Sequence, residues 1–410
     1  MPVHPILSAM RHNKVGAALI GLQIAVTLAI LCNALFIIQQ RLAQLGRPSG
    51  TDEANLFAIA NDWIGTGDHR PGVINDVAAL RAMPGVAGAY VTNTYPLSNR
   101  GGGSALWIQP PVDGTRLPAA DTAVYYGGEQ MLQTLGLRLI DGRNFSATDI
   151  VNSTDDSQPV PDGLIITQAL ALKLFPDGPA VGRGIYIMGW TRTVPVIGVV
   201  GRLQGPFVSG GGDLGGANVD NSVLMPYRDV GDEAYYVVRA RPGQLAAVMK
   251  AAPQRLLQLD PERLIEKLQS FSAARAAVYH DDRGLALILA IVCAVLLVVM
   301  ACGIVGLTSY WVSQRRRQIG IRRALGATRP GIVRHFQTEN LLIVAAGSIV
   351  GVAMGLAANL WMMSSSALAR LPIVYPIVGV IALLILGQLA VLWPALRAAS
   401  VPPAEASRTV

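Results

Sequence analysis

The stretch SQRRRQIGIRRALGATRPGIVRHFQTEN, residues 313–340, decides how the rest of the chain is arranged. It contains seven arginines and no acidic residue before Glu339, and a long apolar run lies on each side of it. A basic stretch of this kind can bind nucleic acid, anionic lipid or another protein, or it can mark one side of a membrane. The sequence on either side of it helps to separate these interpretations.

Four apolar runs are long enough to cross a bilayer. Of the 410 residues, 51% are hydrophobic and 14% are charged, which is more apolar than a soluble protein of this size. About 20 apolar residues cross a hydrocarbon core, and residues 15–38, 284–310, 341–363 and 372–396 meet this length without an acidic or basic residue. The first run is longer than the core of a signal peptide, so we expect an uncleaved anchor.

The distribution of positive charge predicts the orientation of these spans. Residues 1–14, 311–337 and 397–410 carry eleven Lys or Arg and one acidic residue, whereas residues 41–283 carry 21 basic and 24 acidic residues. Cytoplasmic segments are enriched in Lys and Arg, so the net charge of +7 is mainly an orientation signal. The segments between the spans are then a cytoplasmic N-terminus (1–14), an outer domain (39–283), a cytoplasmic segment (311–340), a short outer loop (364–371) and a cytoplasmic tail (397–410).

The outer block combines short β-rich runs with helical patterns. Runs such as GAYVTNTY (88–95) and AYYVVRA (234–240) are typical of strands, and QLAAVMKAAPQRLLQL (244–259) has apolar residues at helical spacing. We therefore expect four transmembrane α-helices, one plus three, with a large α+β domain of two subdomains between the first and second helices. Residues 125–227 are predicted to be inserted into the first subdomain.

Helices are predicted at both ends of the outer block. IIQQRLAQL continues the first span outward. PERLIEKLQSFSAARAAVYHDDRG, residues 261–284, leads into the second span with Leu264, Leu268, Phe271 and Ala274 at helical spacing. Two such helices form a mechanical stalk if they pack together, or they are linkers that only hold the domain away from lipid.

No catalytic motif is recognisable in the 410 residues. None of the four lysines follows a phosphate-binding glycine loop, no G-x-S-x-G elbow occurs, and the five histidines are scattered without H-E-x-x-H or a cysteine pair. We expect a non-catalytic chain with no catalytic residue, no metal site and no cofactor of its own. The predicted cytoplasmic segments are too short for a kinase or a DNA-binding module.

Polar and small residues within the spans favour helix packing. Functional polar groups in a bilayer are usually ionisable, whereas amides more often form hydrogen bonds between helices. The amides are Gln23, Asn33, Asn359 and Gln388. Gly347, Gly351 and Gly355 are spaced four apart on one face of the third span, which predicts close packing against a helix of this chain or of another.

The opening stretch itself is predicted to form two helices separated by a break. The second span continues to about Leu325, and Gly326 ends it. Thr328 is then an N-cap, and Pro330 lies in the first turn of a short helix over residues 329–337. The apolar face of this helix consists of Ile332, Val333 and Phe336. Such a helix can lie among anionic headgroups, belong to an ordinary positive-inside loop, or dock a cytoplasmic partner.

Several ordered motifs resemble those of the FtsX/MacB-type permease family. RRRQIGIRRALGATRPGIVRHFQTENLLI is similar to the family's signature after the second span, and WPALRAASVPPAEASR resembles its closing motif. EQMLQTLGLRLIDGRNFSATD, ITQALALKLFPDGPAVGRGIYI and VPVIGVVG resemble successive motifs of the MacB-like periplasmic domain. Gln318 differs from the pattern, since an acidic residue usually precedes I-G. The resemblance covers most of the chain and implies a type VII ABC permease without a fused ATPase.

The resemblance also implies partners and a location. Such permeases are dimers of two copies or of paralogues, and they bind cytoplasmic ABC ATPase subunits that hold ATP and Mg²⁺. Stalk helices carry movement to the periplasmic domain, which is called mechanotransmission, and an adaptor and an outer-membrane channel join some systems. The implied location is the bacterial inner membrane, in contact with lipid and not with nucleic acid, with both termini cytoplasmic. The implied ATPase-coupling residues are Ile319, Gly320, Ile321, Arg322, Arg323, Ala324, Leu325, Gly326, Ala327, Thr328, Ile332, Val333 and Phe336.

The leading hypothesis is efflux of an antibiotic, peptide or similar substrate by a MacB-like ABC transporter. Two alternatives keep the architecture: a lipoprotein-releasing permease and an FtsX-like transmembrane regulator of a periplasmic enzyme. A membrane sensor unrelated to ABC proteins is a third, and co-purification of an ABC ATPase would distinguish it from the other three.

Overall fold

A computed structural model describes residues 14–64, 68–110, 117–154, 158–208, 218–315, 318–321, 328–365 and 370–400. The chain divides into two compact units. We call Met1–Gly46 with Asp281–Val410 the helical unit, and Arg47–His280 the α/β unit.

The helices and strands of the described residues are numbered along the chain. They are α1 (Lys14–Leu45), β1 (Leu56–Trp63), α2 (Arg70–Ala82), β2 (Val86–Thr92), β3 (Gly103–Trp107), β4 (Ala120–Tyr126), α3 (Met131–Leu135), β5 (Leu139–Gly142), β6 (Val151–Ser153), β7 (Leu164–Thr167), α4 (Gln168–Leu174), β8 (Gly184–Ile187), β9 (Val194–Val200), β10 (Ser222–Met225), β11 (Tyr227–Asp229), β12 (Glu233–Ala240), α5 (Leu245–Leu259), β13 (Arg263–Ser270), α6 (Phe271–Val278), α7 (His280–Gln314), α8 (Arg329–Ser365) and α9 (Val374–Ala399). A short 3₁₀ turn covers Ala147–Asp149.

Four helices of the helical unit are long and apolar enough to cross a membrane. They are α1, α7, α8 and α9, so the predicted order of one span, a large domain and three further spans is confirmed. α1 continues past residue 38 to Leu45, as IIQQRLAQL predicted. Their shared core contains Ile24, Leu28, Ile304, Val344 and Leu383, each fully buried.

The predicted short helix over residues 329–337 is not separate. It forms the first turns of α8, which runs without interruption from Arg329 to Ser365. The residues that follow Gln337 are Thr, Glu and Asn, none of which breaks a helix as Pro or Gly would. The second span also ends earlier than predicted, because α7 stops at Gln314. Residues 318–321 are helical, and the rest of the predicted continuation to Leu325 with its end at Gly326 lies outside the described residues.

The flanks of the α/β unit form a four-stranded antiparallel sheet in the order β13-β1-β12-β2. Helices α2 and α5 pack on one face of it. The core between them contains Phe57 and Ile59 of β1, Leu80 of α2 and Ala252 and Leu256 of α5, all fully buried. The predicted first subdomain, made from the two flanks, is therefore present.

The inserted subdomain is a small barrel. Its strands follow the order β5-β9-β7-β10-β4-β3-β8, and β8 also pairs with β9, so the pairings close on themselves. Because β3 and β4 belong to this barrel, its strands begin at Gly103 rather than near the predicted residue 125. The barrel core includes Leu106, Ile166, Val196 and Val223, which face one another from four strands.

The predicted stalk helix at the end of the outer block is wrong over its first half. Residues Arg263–Ser270 form the edge strand β13, and only Phe271–Val278 are helical. Long-range contacts override the helical spacing: Arg263 donates hydrogen bonds to Asp76 at 2.6 and 3.0 Å with both side chains buried. Leu264 and Leu268, which the helical spacing placed on one apolar face, are 52% and 37% exposed.

Candidate functional site

The arginine-rich segment lies at one end of the helical unit, where α7 ends and α8 begins. Trp311 is buried near the end of α7, and its carbonyl accepts a hydrogen bond from the Arg315 amide at 3.1 Å. The Ile319 amide donates in turn to the Arg315 carbonyl at 2.9 Å. Ile319 and Gly320 are buried while Gln318 and Ile321 are exposed, so this helical piece presents one face to the protein and one to solvent.

The start of α8 agrees with the predicted cap. Thr328 immediately precedes the helix, and its carbonyl accepts a hydrogen bond from the Ile332 amide at 3.3 Å. Pro330 is the second helical residue, where a missing amide hydrogen leaves no intrahelical bond unmade. Both features fit a helix that begins directly after Thr328.

The predicted apolar face of this segment points inward. Ile332 is 8% exposed and Phe336 4% exposed, and both belong to the core of the helical unit together with Ile319. Val333 is partly buried and packs against the same core. The prediction that these side chains give the helix a packing face is right, but what they pack against is this chain.

A different set of side chains is available to a partner. At this end of the unit the described exposed residues include Gln318, Ile321, Arg329, Pro330 and Arg334, and Ile321 is 49% exposed. Among them Ile321 was predicted as a coupling residue, whereas Arg329 and Arg334 were not. We call these five residues the exposed basic face. The predicted coupling residues Arg322, Arg323, Ala324, Leu325, Gly326 and Ala327 lie outside the described residues, and their role stays a prediction.

An ion pair joins the two sides of the segment. Arg315 Nη1 lies 3.5 Å from a carboxylate oxygen of Glu339, whose side chain is 4% exposed. Glu339 is the only acidic residue between 313 and 340, and that isolation is the signal that sequence reasoning could have used. The pair fixes the end of α7 against the start of α8.

The glycine pattern in α8 packs against α1 of the same chain. A Cβ atom on Gly347 would lie 2.8 Å from the Gly21 carbonyl oxygen, and one on Gly351 would lie 2.8 Å from the Ala25 carbonyl oxygen. At Gly355 the nearest atom would be Ala29 Cα at 3.3 Å. A Cβ at Gly347 or Gly351 could be accommodated only if the two helices shifted apart, so this face of α8 lies close against α1 of the same chain.

Amides within the spans bond helices together. Asn33 Nδ2 donates to the Gly355 carbonyl at 3.0 Å, which joins α1 to α8. Gln388 Nε2 donates to the Gln337 carbonyl at 3.4 Å, and Asn359 Oδ1 accepts from the Leu371 amide at 2.9 Å. Asn340, not singled out from sequence, donates to the Gly387 carbonyl at 2.9 Å and so joins α8 to α9. These contacts fit a structural role.

The barrel of the α/β unit carries an open cleft of about 530 Å³. Ile108, Phe175, Asp177 and Arg183 contribute to its lining, and the Arg183 guanidinium lies 5.1 Å from the centre of the Phe175 ring. Among the residues that the structure describes, no three His, Cys, Asp or Glu side chains come together as a metal site would require.

Two family matches together cover most of the chain. Residues 16–255 match the family described as "MacB-like periplasmic core domain", and residues 290–403 match "FtsX-like permease C-terminal". The first match alone includes more than half of the 410 residues. The first match begins in α1 and ends within α5, and the second begins within α7 and extends past α9.

Individual relatives agree with these matches. One is "Macrolide export ATP-binding/permease protein MacB" of Chromobacterium violaceum, 28% identical over 361 residues, which are 84% of this chain and 50% of that protein. Another is "Pyoverdine export ATP-binding/permease protein PvdT" of Pseudomonas syringae pv. tomato, 26% identical over 344 residues, 81% of this chain and 48% of that protein. The chain thus spans about half the length of the curated relatives it matches.

One solved structure that matches is the crystal structure of the periplasmic region of MacB from Actinobacillus actinomycetemcomitans. It is 17% identical, with a TM-score of 0.35, and the match covers 58% of this chain and 97% of that one.

Proposed function

Because the chain belongs to the family of ABC transporter permeases with a MacB-like periplasmic core domain and an FtsX-like C-terminal part, we propose that it is the transmembrane subunit of a MacB-like exporter. In this proposal a cytoplasmic ABC ATPase partner binds ATP and Mg²⁺. Its hydrolysis cycle moves the helical unit, and the movement reaches the periplasmic domain through the continuous chain. The exported compound is an antibiotic, a peptide or a similar substrate.

The exposed basic face is the observation that carries this proposal. The first turns of α8 carry Arg329 and Arg334 on the outside and bury Ile332 and Phe336 in the core of the helical unit. A partner that moves the exposed side chains therefore also moves the core of the helical unit. A loop held only by lipid headgroups would not need this rigid connection. Arg329 and Arg334 are cationic and Ile321 is apolar, so together they suit a protein surface with acidic and apolar groups.

Positive charge supports the proposed orientation. The exposed basic face lies in the arginine-rich segment, and Lys and Arg are enriched in cytoplasmic loops. The α/β unit, inserted between α1 and α7, is then periplasmic and both termini are cytoplasmic. The location that follows is the inner membrane of a bacterium, with a second copy or a paralogue completing a dimer.

Export is favoured over the alternatives by the relatives. Their printed names describe macrolide export and pyoverdine export. These names support export as the proposed activity of this chain, and a periplasmic adaptor and an outer-membrane channel would complete the route. Release of lipoproteins and regulation of a periplasmic enzyme remain outcomes of the test.

The test begins with affinity purification of the tagged chain from its native host. We expect an ABC ATPase to co-purify with the wild type. Ile321→Asp and Arg334→Glu should weaken that association at least about tenfold, since each sets a negative charge against the acidic partner surface proposed above, and like charges brought together at an interface cost several kcal/mol. Leu264→Asp is the matched control, because Leu264 is 52% exposed on the α/β unit and 49% of Ile321 is exposed.

The second measurement is erythromycin resistance of a sensitive host that expresses the permease with its ATPase. We expect resistance to rise with the wild type and to be lost with Ile321→Asp. If no ABC ATPase co-purifies with the wild type, the proposal is wrong. If the ATPase binds but periplasmic lipoprotein release or a periplasmic enzyme depends on the chain instead, export is the part that fails.

A further inference from the structure

The cleft on the barrel is built from three pieces of chain that the backbone holds in place. Phe175 directly follows α4, and its amide donates a hydrogen bond to the Ala171 carbonyl at 2.9 Å. Arg183 directly precedes β8, and its carbonyl accepts a hydrogen bond from the Val196 amide of β9 at 2.9 Å. Ile108 directly follows β3, which pairs with β8. The walls of the cleft are therefore fixed by the barrel itself.

Part of the cleft lining is apolar. Leu174 and Phe175 contribute to it while most of each side chain is buried in the barrel core, so their positions are set by packing. Ile108 and Pro176 line the cleft from more exposed positions. An apolar lining with a few polar groups beside it is typical of a ligand site, and here it suits an aliphatic side chain of the ligand.

The polar part of the lining carries one charge of each sign, Arg183 and Asp177, and both residues are exposed. The Arg183 guanidinium lies over the Phe175 ring, 5.1 Å from its centre, which holds the guanidinium plane and leaves the N–H donors on its edge available. Arg183 Nη2 also lies 3.2 Å from the place that a Cβ on Gly178 would take, directly after Asp177. Within the part of the chain that the structure describes, neither charged group has an ion-pair partner.

These two charges select a particular ligand chemistry. The edge of a guanidinium binds a carboxylate through two parallel hydrogen bonds. A protein carboxylate nearby repels a bare anion, but it accepts a hydrogen bond from an N–H group. Arg183 and Asp177 together therefore suit a ligand that carries a carboxylate and an N–H donor close to each other. The last residue of a peptide has this arrangement, and its side chain is attached to the same carbon.

We propose that the barrel cleft binds the free C-terminal end of a peptide whose last residue is apolar. Arg183 binds the terminal carboxylate, and Asp177 accepts a hydrogen bond from the N–H of the last residue. The side chain of that residue contacts Ile108, Leu174 and Phe175. The cleft volume of about 530 Å³ lies in the range that holds a drug-sized ligand, which leaves room for preceding residues of the peptide. This inference goes beyond the proposed function, since such binding requires neither the ATPase nor export.

The test measures binding of labelled peptides to the full chain in detergent by fluorescence polarisation. One probe is the tripeptide Gly-Ala-Leu with fluorescein on its amino group, and the other is the same labelled peptide with a C-terminal amide. We expect the acid to bind the wild type at least about tenfold more tightly, because hydrogen bonds to a charged group are the stronger ones and the amide lacks that charge. The two probes share dye and side chains, so uptake into detergent micelles affects both equally.

Substitutions of Arg183 test its contact with the carboxylate. Arg183→Gln should bind the acid and the amide equally, and Arg183→Lys, which keeps the charge without the planar fork, should keep part of the preference. Arg192→Gln is the matched control, because Arg192 is an exposed arginine outside the cleft whose Nη2 donates to the Val160 carbonyl at 2.9 Å. It should bind both probes as the wild type does. Thermal unfolding of each variant checks the fold, and Arg183→Lys provides the comparison should Arg183→Gln fail to fold.

Competition by unlabelled compounds tests the role of Asp177 and the source of the ligand. The competitors are Gly-Ala-Leu, free leucine and isocaproate, which is leucine without its amino group. We expect Gly-Ala-Leu to compete best and isocaproate at least about tenfold less well, since Asp177 repels an anion that brings no N–H donor. Asp177→Ala removes both the repulsion and the acceptor, so it should narrow the gap between Gly-Ala-Leu and isocaproate.

The inference is wrong if the wild type binds the acid and the amide equally, or if Arg183→Gln keeps the full preference for the acid. Equal competition by free leucine and Gly-Ala-Leu would overturn the assignment to a peptide, because the cleft would then be a site for an amino acid. All these measurements use the chain alone, so each of these outcomes leaves the proposed function standing. Absence of a co-purifying ABC ATPase would in turn end the proposed function and leave the cleft as a peptide site.

Discussion

Arg275 of α6 and Glu53, 222 residues earlier in the chain, form a bidentate ion pair. Arg275 Nε donates to one carboxylate oxygen at 2.7 Å and Nη2 donates to the other at 2.8 Å. Nη2 also donates to the Arg47 carbonyl at 2.8 Å. One guanidinium thus joins the residues that open the α/β unit to the helix that closes it.

Loss of this pair should destabilise the α/β unit. Both side chains are 19% exposed, so Arg275→Gln leaves a largely buried carboxylate without its partner, at a cost of about 1–3 kcal/mol. Thermal unfolding of the full chain in detergent measures the loss. Arg192→Gln is the control, since its partner Asp162 is 94% exposed and exposed pairs contribute less than about 1 kcal/mol. Equal destabilisation by the two changes would contradict the prediction.

Two glycines with nearly the same backbone angle should respond very differently to alanine. Gly50 has φ of 88° and Gly189 has φ of 87°. A Cβ on Gly50 would lie 1.8 Å from the Arg202 carbonyl oxygen, whereas one on Gly189 meets no atom within 4 Å. Gly189→Ala therefore isolates the cost of the left-handed conformation, about 1–2 kcal/mol.

Gly50→Ala adds a clash with backbone to that cost, and we expect more than about 3 kcal/mol in total. The comparison is made by chemical denaturation of the two variants under identical conditions. Similar midpoints for both would show that the chain near Gly50 relaxes freely, which the 1.8 Å approach argues against.

Close packing of α8 on α1 should be lost when a methyl group is added at Gly351. The new Cβ would lie 2.8 Å from the Ala25 carbonyl oxygen and 2.9 Å from Leu28 Cβ, and overpacking of this kind costs about 1–3 kcal/mol. Gly306 of α7 is the matched control, because a Cβ there meets no atom within 4 Å.

Alanine favours a helix over glycine by about 1 kcal/mol, so Gly306→Ala should be neutral or stabilising. Thermal stability of each purified variant in the same detergent gives the comparison. A Gly351→Ala protein as stable as Gly306→Ala would mean that the two helices separate at little cost.

Asp62 should make stability depend on pH. It lies opposite Glu233 in the pairing of β1 with β12. Burial, followed by a hydrogen bond to Glu266 and the negative charges of Glu266 and Glu233, raises the pKa of Asp62 to about 6, an effect that Arg100 partly opposes. The folded protein thus binds the Asp62 proton more tightly than the unfolded chain does.

A group whose pKa is raised by folding contributes fully to stability below its unfolded pKa, here near 4. That contribution to stability is lost as pH rises through the folded pKa of about 6. Asp62→Asn should therefore stabilise the protein at pH 7.5 and have little effect at pH 4. Because the carboxyl is partly exposed, we expect about 1 kcal/mol at most. Denaturation midpoints from pH 4 to 8 measure the difference between variant and wild type.

Asp149 provides a control of opposite sign. Hydrogen bonding to Arg143 holds the pKa of Asp149 well below its usual range. The carboxylate therefore contributes to stability at pH values above its unfolded pKa, and this contribution is lost as pH falls. Asp149→Asn should destabilise at pH 7.5. A stabilising effect of both substitutions at neutral pH would show that general repulsion among acidic residues, and not the local contacts of Asp62, is responsible.

Local sequence was sufficient to predict the spanning helices and the close packing of one of them. A run of about 20 apolar residues crosses a bilayer whatever its neighbours, so the four spans followed from composition alone. The cap at Thr328 was predictable for the same reason, since its effect depends on residues within one turn. The spacing of Gly347, Gly351 and Gly355 predicted close packing, but α1 as the partner came only from the structure.

Residues 263–270 show where local pattern fails. Leu264 and Leu268 fit a helix by spacing, yet the segment is a strand because it pairs with β1 and because Arg263 reaches Asp76. The start of the barrel at Gly103 had the same cause, since β3 is assigned by its pairing with β4 and β8. A strand is defined by its pairing with another strand, which can lie far away in sequence, and the local periodicity of apolar residues does not indicate that partner.

The sequence by itself therefore determined the one-plus-three membrane layout, the amphipathic character of residues 329–337 and the family. Tertiary structure decided which way that amphipathic face turns: Ile332 and Phe336 pack into the chain's own core, and Ile321, Arg329 and Arg334 are left exposed. The physical reason is that an apolar face is buried against whichever apolar surface lies nearest. For Ile332 and Phe336 that surface is the core formed by the chain's own spanning helices, which assembles only when all four come together.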